Sequence, residues 1–100
     1  MPAVTINDKA VRNKVLEIQD KIIHEIRKKM SNLAARIHDG ANIPALQKDI
    51  DKIGDDAFEA SRITIDLEGL GGGLWCSTKK MMREYGMLVE LYMDAGGLKH

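Results

Sequence analysis

The chain has 100 residues, carries no net charge and is 44% apolar, a composition that describes one small folded domain and excludes wholesale disorder. Its single cysteine, Cys76, excludes an intrachain disulfide and a cysteine-based zinc site. No signal-peptide pattern follows Met1, and the apolar runs are far too short for a membrane span. We therefore expect a single domain over residues 1–100 that is located in the cytoplasm and not in a membrane.

The first apolar pattern runs over residues 8–38 and predicts a long amphipathic helix. Apolar residues fall in rows three and four positions apart, which places them on one broad face of a helix. The row that recurs every seven residues consists of Leu16, Ile23, Met30 and Ile37.

Residues that favour helix ends mark where this first helix begins and stops. We expect Asn7 or Thr5 to cap its start, with Asp8 in the first turn, and Gly40 to stop it. Ser31-Asn32 leaves open a break within the helix, because both residue types favour caps over helix interiors.

A second helix is predicted over residues 44–67, with Pro44 in its first turn. Gly54 lies within its apolar pattern, where glycine costs about 1 kcal/mol relative to alanine but would let another helix approach closely. Residues 63–67 alternate between apolar and polar, so a strand is the alternative there. A lone strand would have no partner, and the helix is favoured.

The glycine-rich segment at residues 69–73 precedes a third predicted helix at residues 75–95, which Gly96-Gly97 would end. The segment has neither the glycine spacing of a dinucleotide-binding loop nor the Gly-Lys-Ser or Gly-Lys-Thr of a Walker loop. We therefore interpret it as a hinge between helices.

Together these patterns predict an all-α domain of three to four helices in an elongated bundle. A continuous helix over residues 8–38 would be about 46 Å long. A compact chain of this size has a radius of gyration near 13 Å, roughly 34 Å across. The first helix must therefore kink, belong to an elongated bundle or pack against another chain, and a homo-oligomer is one expectation.

No group of residues indicates catalysis, a metal ion or a cofactor. Cys76 is followed by Lys79 and Lys80, but no histidine is near it in the sequence to act as a base. His24 and His38 would lie about 21 Å apart along one helix, too far to share a metal ion. We therefore expect a non-enzymatic protein without catalytic residues, metal or cofactor.

The charges are divided along the chain into a basic first part and an acidic middle. Residues 1–38 hold eight basic and four acidic residues, a net charge of +4, and residues 39–70 hold three and eight, a net charge of −5. The basic face of the first helix could contact nucleic-acid phosphates, but glutamates four residues before two of its lysines favour a solvated, salt-bridged face. The candidate charged-patch residues are Lys14, Lys21, Arg27, Lys28, Lys29, Asp55 and Asp56.

Apolar and aromatic residues surround the whole circumference of the third predicted helix. Met81 and Met82 are adjacent and cannot both face one core, so some of these side chains are expected to form a second surface. That surface would serve either as a dimer seam or as a site for a protein partner. The candidate partner-binding residues are Trp75, Met81, Met82, Tyr85, Met87 and Tyr92.

Residues 67–86, LEGLGGGLWCSTKKMMREYG, carry a resemblance to a known class of proteins. In size and character the chain resembles the short inhibitors that phages and other mobile elements carry, in particular the anti-CRISPR proteins that act on multi-subunit surveillance complexes. The resemblance implies direct binding to a protein–RNA complex, which would block access of target DNA or recruitment of a nuclease. Such inhibitors share no motif, so it implies no functional residue.

The sequence thus predicts a binding or inhibitory module that occupies the surface of a larger protein or protein–RNA complex. The alternative is a helical homodimer that binds nucleic acid through the basic face of its first helix. This alternative predicts an affinity that falls steeply with salt concentration.

Overall fold

The computed structural model describes residues 8–40, 43–67 and 74–96, and within these ranges the chain is all-α, which confirms the predicted fold class. The helices are α1 (Lys9–His38), α2 (Gln47–Asp66) and α3 (Leu74–Asp94), and a short 3₁₀ helix (Ile43–Leu46) leads into α2. The predicted hinge at residues 69–73 lies outside the described residues. Among the helices described, none combines the length and the apolar character that crossing a membrane would require.

Asp8 caps the start of α1. Its carboxylate accepts hydrogen bonds from the backbone N–H groups of Ala10 at 2.8 Å and Val11 at 3.1 Å. The sequence-based expectation that Asp8 lies in the first turn was therefore wrong by one position, because a side chain reaches these two N–H groups from the cap position. Asn7 and Thr5, the expected caps, lie outside the described residues.

The helix α1 is continuous through Ser31-Asn32, so the break that these residues left open does not occur. Both side chains are exposed, whereas Met30 and Leu33 on either side are buried. Burial of these neighbours holds the backbone helical against the weak local preference of serine and asparagine. The helix ends at His38, and Gly40 follows with a φ of 78°, the left-handed conformation that glycine adopts without a steric penalty.

Residues 63–66 belong to α2 and not to a strand. The N–H of Leu67 donates to the carbonyl oxygen atoms of Ile63 at 3.0 Å and Thr64 at 3.1 Å, as at the end of a helix. Thr64 and Leu67 are buried while Ile65 is exposed, which is the three-residue spacing of a helical face.

The three helices form an elongated bundle. The described residues extend over 49 × 24 × 19 Å with a radius of gyration of 15.8 Å, above the roughly 13 Å of a compact chain of this length. The elongated bundle is one of the arrangements that the length of α1 allowed. Its core consists mainly of aliphatic side chains from all three helices, with Met30, Met81 and Tyr92.

A buried polar layer joins the three helices within this apolar core. Gln19 of α1 donates from Nε2 to the carbonyl oxygen of Ala60 at 2.9 Å and to Oγ1 of Thr64 at 3.2 Å. The hydroxyl of Thr78 in α3 lies 3.0 Å from that of Thr64 in α2. Because an unpaired buried polar group is costly, these bonds favour one register of the helices over its neighbours.

Gly54 is the point of closest approach between α2 and α3, as its place in the apolar pattern predicted. A Cβ atom at this position would collide with the phenol ring of Tyr85. The absence of a side chain therefore lets Tyr85 lie directly on the backbone of α2 and sets the spacing of the α2–α3 pair.

Candidate functional site

The candidate partner-binding residues of α3 separate into core and surface residues. Met81 and Tyr92 are fully buried, so their assignment to a partner-binding surface was wrong. With Leu74 and Leu88 they form the row of α3, at steps of seven and four, that faces the other two helices. Their burial is what holds α3 in the bundle.

Trp75 and Met82 are the predicted partner-binding residues that lie together on one exposed surface. Trp75 is 50% exposed and Met82 is 36% exposed. They are seven residues apart and therefore lie on the same side of α3, two turns from each other. Tyr85 is half-buried at the edge of this surface, where its ring contacts Gly54.

Two residues of α2 that the sequence did not assign to a surface extend this exposed region. Phe58 is 67% exposed and Ile65 is 51% exposed, and they too are seven residues apart. Their spacing in the sequence could have indicated this exposure. Neither residue falls in the helical row of α2 that is buried, which includes Ile50, Ala57 and Thr64.

Contacts across the α2–α3 pair bring these four side chains together. The helices are antiparallel, with Gly54 opposite Tyr85 and Thr64 opposite Thr78. This register places Phe58 level with Met82 and places Ile65 within one turn of Trp75. We call these four residues, Phe58, Ile65, Trp75 and Met82, the α2–α3 apolar patch.

The α2–α3 apolar patch lies on the side of the bundle away from α1. On α2, the residues that line the groove with α1 are others, among them Ala60 and Ile63. On α3, the groove with α1 is lined by Glu84, Met87 and Leu91. The patch therefore faces solvent on adjoining faces of α2 and α3.

The two ends of the α2–α3 apolar patch differ in charge. At one end the Nζ atom of Lys79 lies 5.7 Å from the centre of the Trp75 ring, as in a cation–π contact. At the other end, burial and then the charges of Asp51 and Asp55 raise the pKa of Tyr85. The surface thus offers an apolar centre between a cationic and an anionic end, which favours one direction for an elongated partner.

Met87 belongs to a different surface from Trp75 and Met82. It is exposed and lines a groove of about 340 Å³ between α3 and α1, together with Leu91. An ion pair of 2.5 Å between Nε of Arg27 and Oε1 of Glu84 lies at this groove. The single surface that the sequence predicted for α3 is therefore two surfaces.

The predicted charged patch is also divided. Lys14, Lys21 and Lys28 are exposed on α1, and Lys14 lies 4.0 Å from Glu17. Arg27 does not join them, because its guanidinium pairs with Glu84, which raises the pKa of Arg27 by hydrogen bonding.

The remaining charged-patch residues, one on α1 and two on α2, lie in two different places. Lys29 and Asp56 both line the grooves between α1 and α2. Asp55 acts on Tyr85, on the α3 side. Asp55 and Asp56, adjacent in sequence, therefore do not form one acidic site.

No catalytic arrangement is apparent in the part of the chain that the structure describes. Cys76 is an exposed thiol at the start of α3. Over residues 8–40, 43–67 and 74–96, no three histidine, cysteine, aspartate or glutamate side chains are grouped so as to hold a metal ion. The exposed apolar side chains are thus the distinctive feature of this surface.

Comparison of the chain with protein-family models, with curated proteins and with solved structures gave no match. The case for a function therefore depends on the surface chemistry of the chain itself.

Proposed function

We propose that the protein is a non-enzymatic binding module that occupies the surface of a larger protein or protein–RNA complex through the α2–α3 apolar patch. The observation that carries the proposal is that Phe58 and Trp75, the only residues of their types in the chain, are each at least half exposed on adjoining faces of α2 and α3. Trp is enriched at energetically dominant positions of interfaces, and Phe is enriched in interfaces generally.

The cost of leaving these side chains in water supports an interface at this position. Full burial of a large apolar side chain contributes about 1.5–3 kcal/mol relative to exposure. Burial of the four residues of the patch by a partner therefore offers a substantial driving force, before the costs of association. The two charged ends would then fix the orientation of the partner.

The kind of complex that we propose as a target follows from the resemblance to anti-CRISPR inhibitors. A small rigid surface with aromatic anchors can block a site on a larger assembly by steric exclusion, without catalysis. A direct test is to add the purified protein to CRISPR surveillance complexes and to measure target-DNA binding and cleavage. Loss of either activity with the wild-type chain, but not with Phe58→Asp, would support this target.

The broader proposal is tested by affinity capture from lysates of the source cell or its host, with and without nuclease treatment. We expect a stoichiometric protein partner that survives nuclease treatment and is lost with Phe58→Asp and with Trp75→Ala. Val11→Asp is the matched control, because Val11 is also a large exposed apolar residue but lies on α1. Capture that is equal for all variants would exclude the patch as the interface.

Nucleic-acid binding through α1 is the alternative function, and fewer observations support it. Lys14, Lys21 and Lys28 remain as an exposed row with seven-residue spacing. Recovery of nucleic acid in the same capture experiment, with loss of protein after nuclease treatment, would favour this alternative. Binding would then weaken steeply with salt and with Lys21→Glu.

A further inference from the structure

A second apolar surface lies between α1 and α2, in a groove of about 590 Å³. Ile18, Ile22 and Ile63 line it, and the two α1 isoleucines are exposed. Their positions follow the same three- and four-residue steps as the core row of α1, one row further around the helix. α1 therefore presents apolar rows both to the core and to this groove.

Charged side chains of opposite sign line the two sides of this groove. The α1 side carries Lys21, Glu25 and Lys29, with a net charge of +1, and the α2 side carries Asp56 and Glu59, with a net charge of −2. Glu59 also accepts a bond of 3.0 Å from Arg62. The pair with the clearest complementarity is therefore Lys29 and Asp56.

The antiparallel register of α1 and α2 places one pair of opposite charges at the same height. Gln19 bonds to Ala60 near one end of the α1–α2 contact, and Arg36 pairs with Asp49 at 3.5 Å near the other. Between these two points Lys29 lies level with Asp56. By the same register, Glu59 lies between Lys21 and Glu25 in height, so the charge argument depends on Lys29 and Asp56.

We propose that this groove is occupied by a second copy of the chain, related by a two-fold axis parallel to the helices. Such an axis places α1 of one protomer opposite α2 of its partner and leaves the height of each residue unchanged. Residues that are level across the groove within one chain are then also level between chains. Lys29 of each protomer meets Asp56 of the other, on either side of a seam of isoleucines.

The second copy is the occupant that the charges select, because each chain carries both the basic side and its acidic complement. An isologous interface of this kind buries the same surface of both protomers. The α2–α3 apolar patch lies on the other flank of α2, so the dimer does not depend on the proposed function.

The first test is the molar mass in solution, by sedimentation equilibrium over a range of protein concentrations. We expect the wild-type mass to rise with concentration from that of the monomer, 11.1 kDa, towards twice that value. Ile22→Glu is expected to remain monomeric and folded, because the side chain is exposed in the single chain. Met87→Glu, the control, changes an exposed apolar residue of α3 that lines a different groove and should dimerise as the wild type does.

The second test is a charge exchange that only an interface between copies can satisfy. Lys29→Glu and Asp56→Lys should each be monomeric alone, because both ion pairs of the homodimer become repulsive. An equimolar mixture of the two variants should form a heterodimer, in which both pairs are again of opposite sign. A native mass spectrum of the mixture identifies this species.

Three outcomes would overturn the proposal. The wild-type chain could remain monomeric at millimolar concentration, or Ile22→Glu could dimerise as strongly as the wild type. Alternatively, the mixed charge variants could fail to associate although the wild type dimerises. Restoration on mixing cannot come from a contact within one chain, so it separates the dimer from a purely structural role of Lys29 and Asp56.

Discussion

At the scale of single residues, the contact between Gly54 and Tyr85 determines how closely α2 and α3 approach. Glycine within a helix is destabilising by about 1 kcal/mol relative to alanine. At this position the Tyr85 ring occupies the volume that a methyl group would need. Retention of glycine is therefore explained by packing and not by helix preference.

We predict that the effect of Gly54→Ala reverses sign with the residue at position 85. In the wild-type background it should destabilise the protein, because the Tyr85 ring must leave its contact. In a Tyr85→Ala background the same change should stabilise the protein by up to about 1 kcal/mol, since only helix propensity remains. Urea unfolding of the wild type, the two single variants and the double variant measures these effects. An effect of Gly54→Ala with the same sign in both backgrounds would show that Tyr85 does not limit the residue at position 54.

Tyr85 should also make the free energy of unfolding fall at alkaline pH. Burial and then the charges of Asp51 and Asp55 raise the pKa of its phenol in the folded chain above the ordinary value of about 10. In the pH range between the unfolded and folded pKa values, the unfolded chain has lost a proton that the folded chain keeps. The stabilising contribution is therefore fully present below the unfolded pKa and falls as the pH rises through this range.

The measurement is an ultraviolet titration of the tyrosinate ion in a Tyr92→Phe background, where Tyr85 is the only tyrosine. This background is expected to fold normally, because the buried hydroxyl of Tyr92 has no hydrogen-bond partner among the described residues. Asp51→Asn combined with Asp55→Asn should lower the pKa of Tyr85. An unchanged titration would show that these carboxylates do not act on the phenol.

At the scale of the helices, the buried polar layer of Gln19, Thr64 and Thr78 connects one residue from each helix. Loss of one member leaves the others buried with fewer partners, whereas joint replacement by apolar residues removes the need for partners. We predict that Thr64→Val lowers the free energy of unfolding by about 1–3 kcal/mol. The triple variant Gln19→Leu, Thr64→Val, Thr78→Val should be closer to the wild type than the sum of the three single effects.

Chemical unfolding of the three single variants and of the triple variant tests this non-additivity. Ser61 of α2 offers a control, because among the described residues its hydroxyl donates to the carbonyl oxygen of Ala57, within its own helix. Ser61→Ala should therefore have a small effect that adds to that of any member of the layer. Strict additivity within the layer would mean that the three residues do not act as a unit.

Most of the helical organisation could be predicted from apolar spacing. The all-α class followed from periodic rows that persist over many turns, as in Leu16 to Ile37 of α1. The preference of serine and asparagine for helix caps left open a break at Ser31-Asn32 that does not occur. Burial of the flanking residues outweighs the cap preference of these two exposed side chains. The observed helix starts differ from the predicted ones by small shifts. The residue types that cap a helix are also common in its first turn, so the sequence does not distinguish the two positions.

At the scale of the whole molecule, the two proposed interfaces lie on opposite flanks of α2. The α2–α3 apolar patch is on the side of α3, and the groove that we assign to a second copy is on the side of α1. The two functions should therefore separate by mutation. Phe58→Asp is expected to lose the captured partner while still forming the dimer.

The converse variant completes the prediction for the whole molecule. Ile22→Glu should lose the dimer while it still captures the partner. Capture and solution mass measured on both variants give the result. If either variant lost both properties although its circular dichroism spectrum was unchanged, the two surfaces would belong to one interface.

The fold class and the approximate extent of the helices follow from the sequence alone, because they depend on periodicity within a single segment. Which apolar residues remain in water depends on how the helices pack against one another. Met81 is fully buried and Met82 is exposed, and Phe58 of α2 joins Trp75 of α3. Periodicity gives the direction of each side chain around its own helix, but the directions of the neighbouring helices decide whether that side chain is covered.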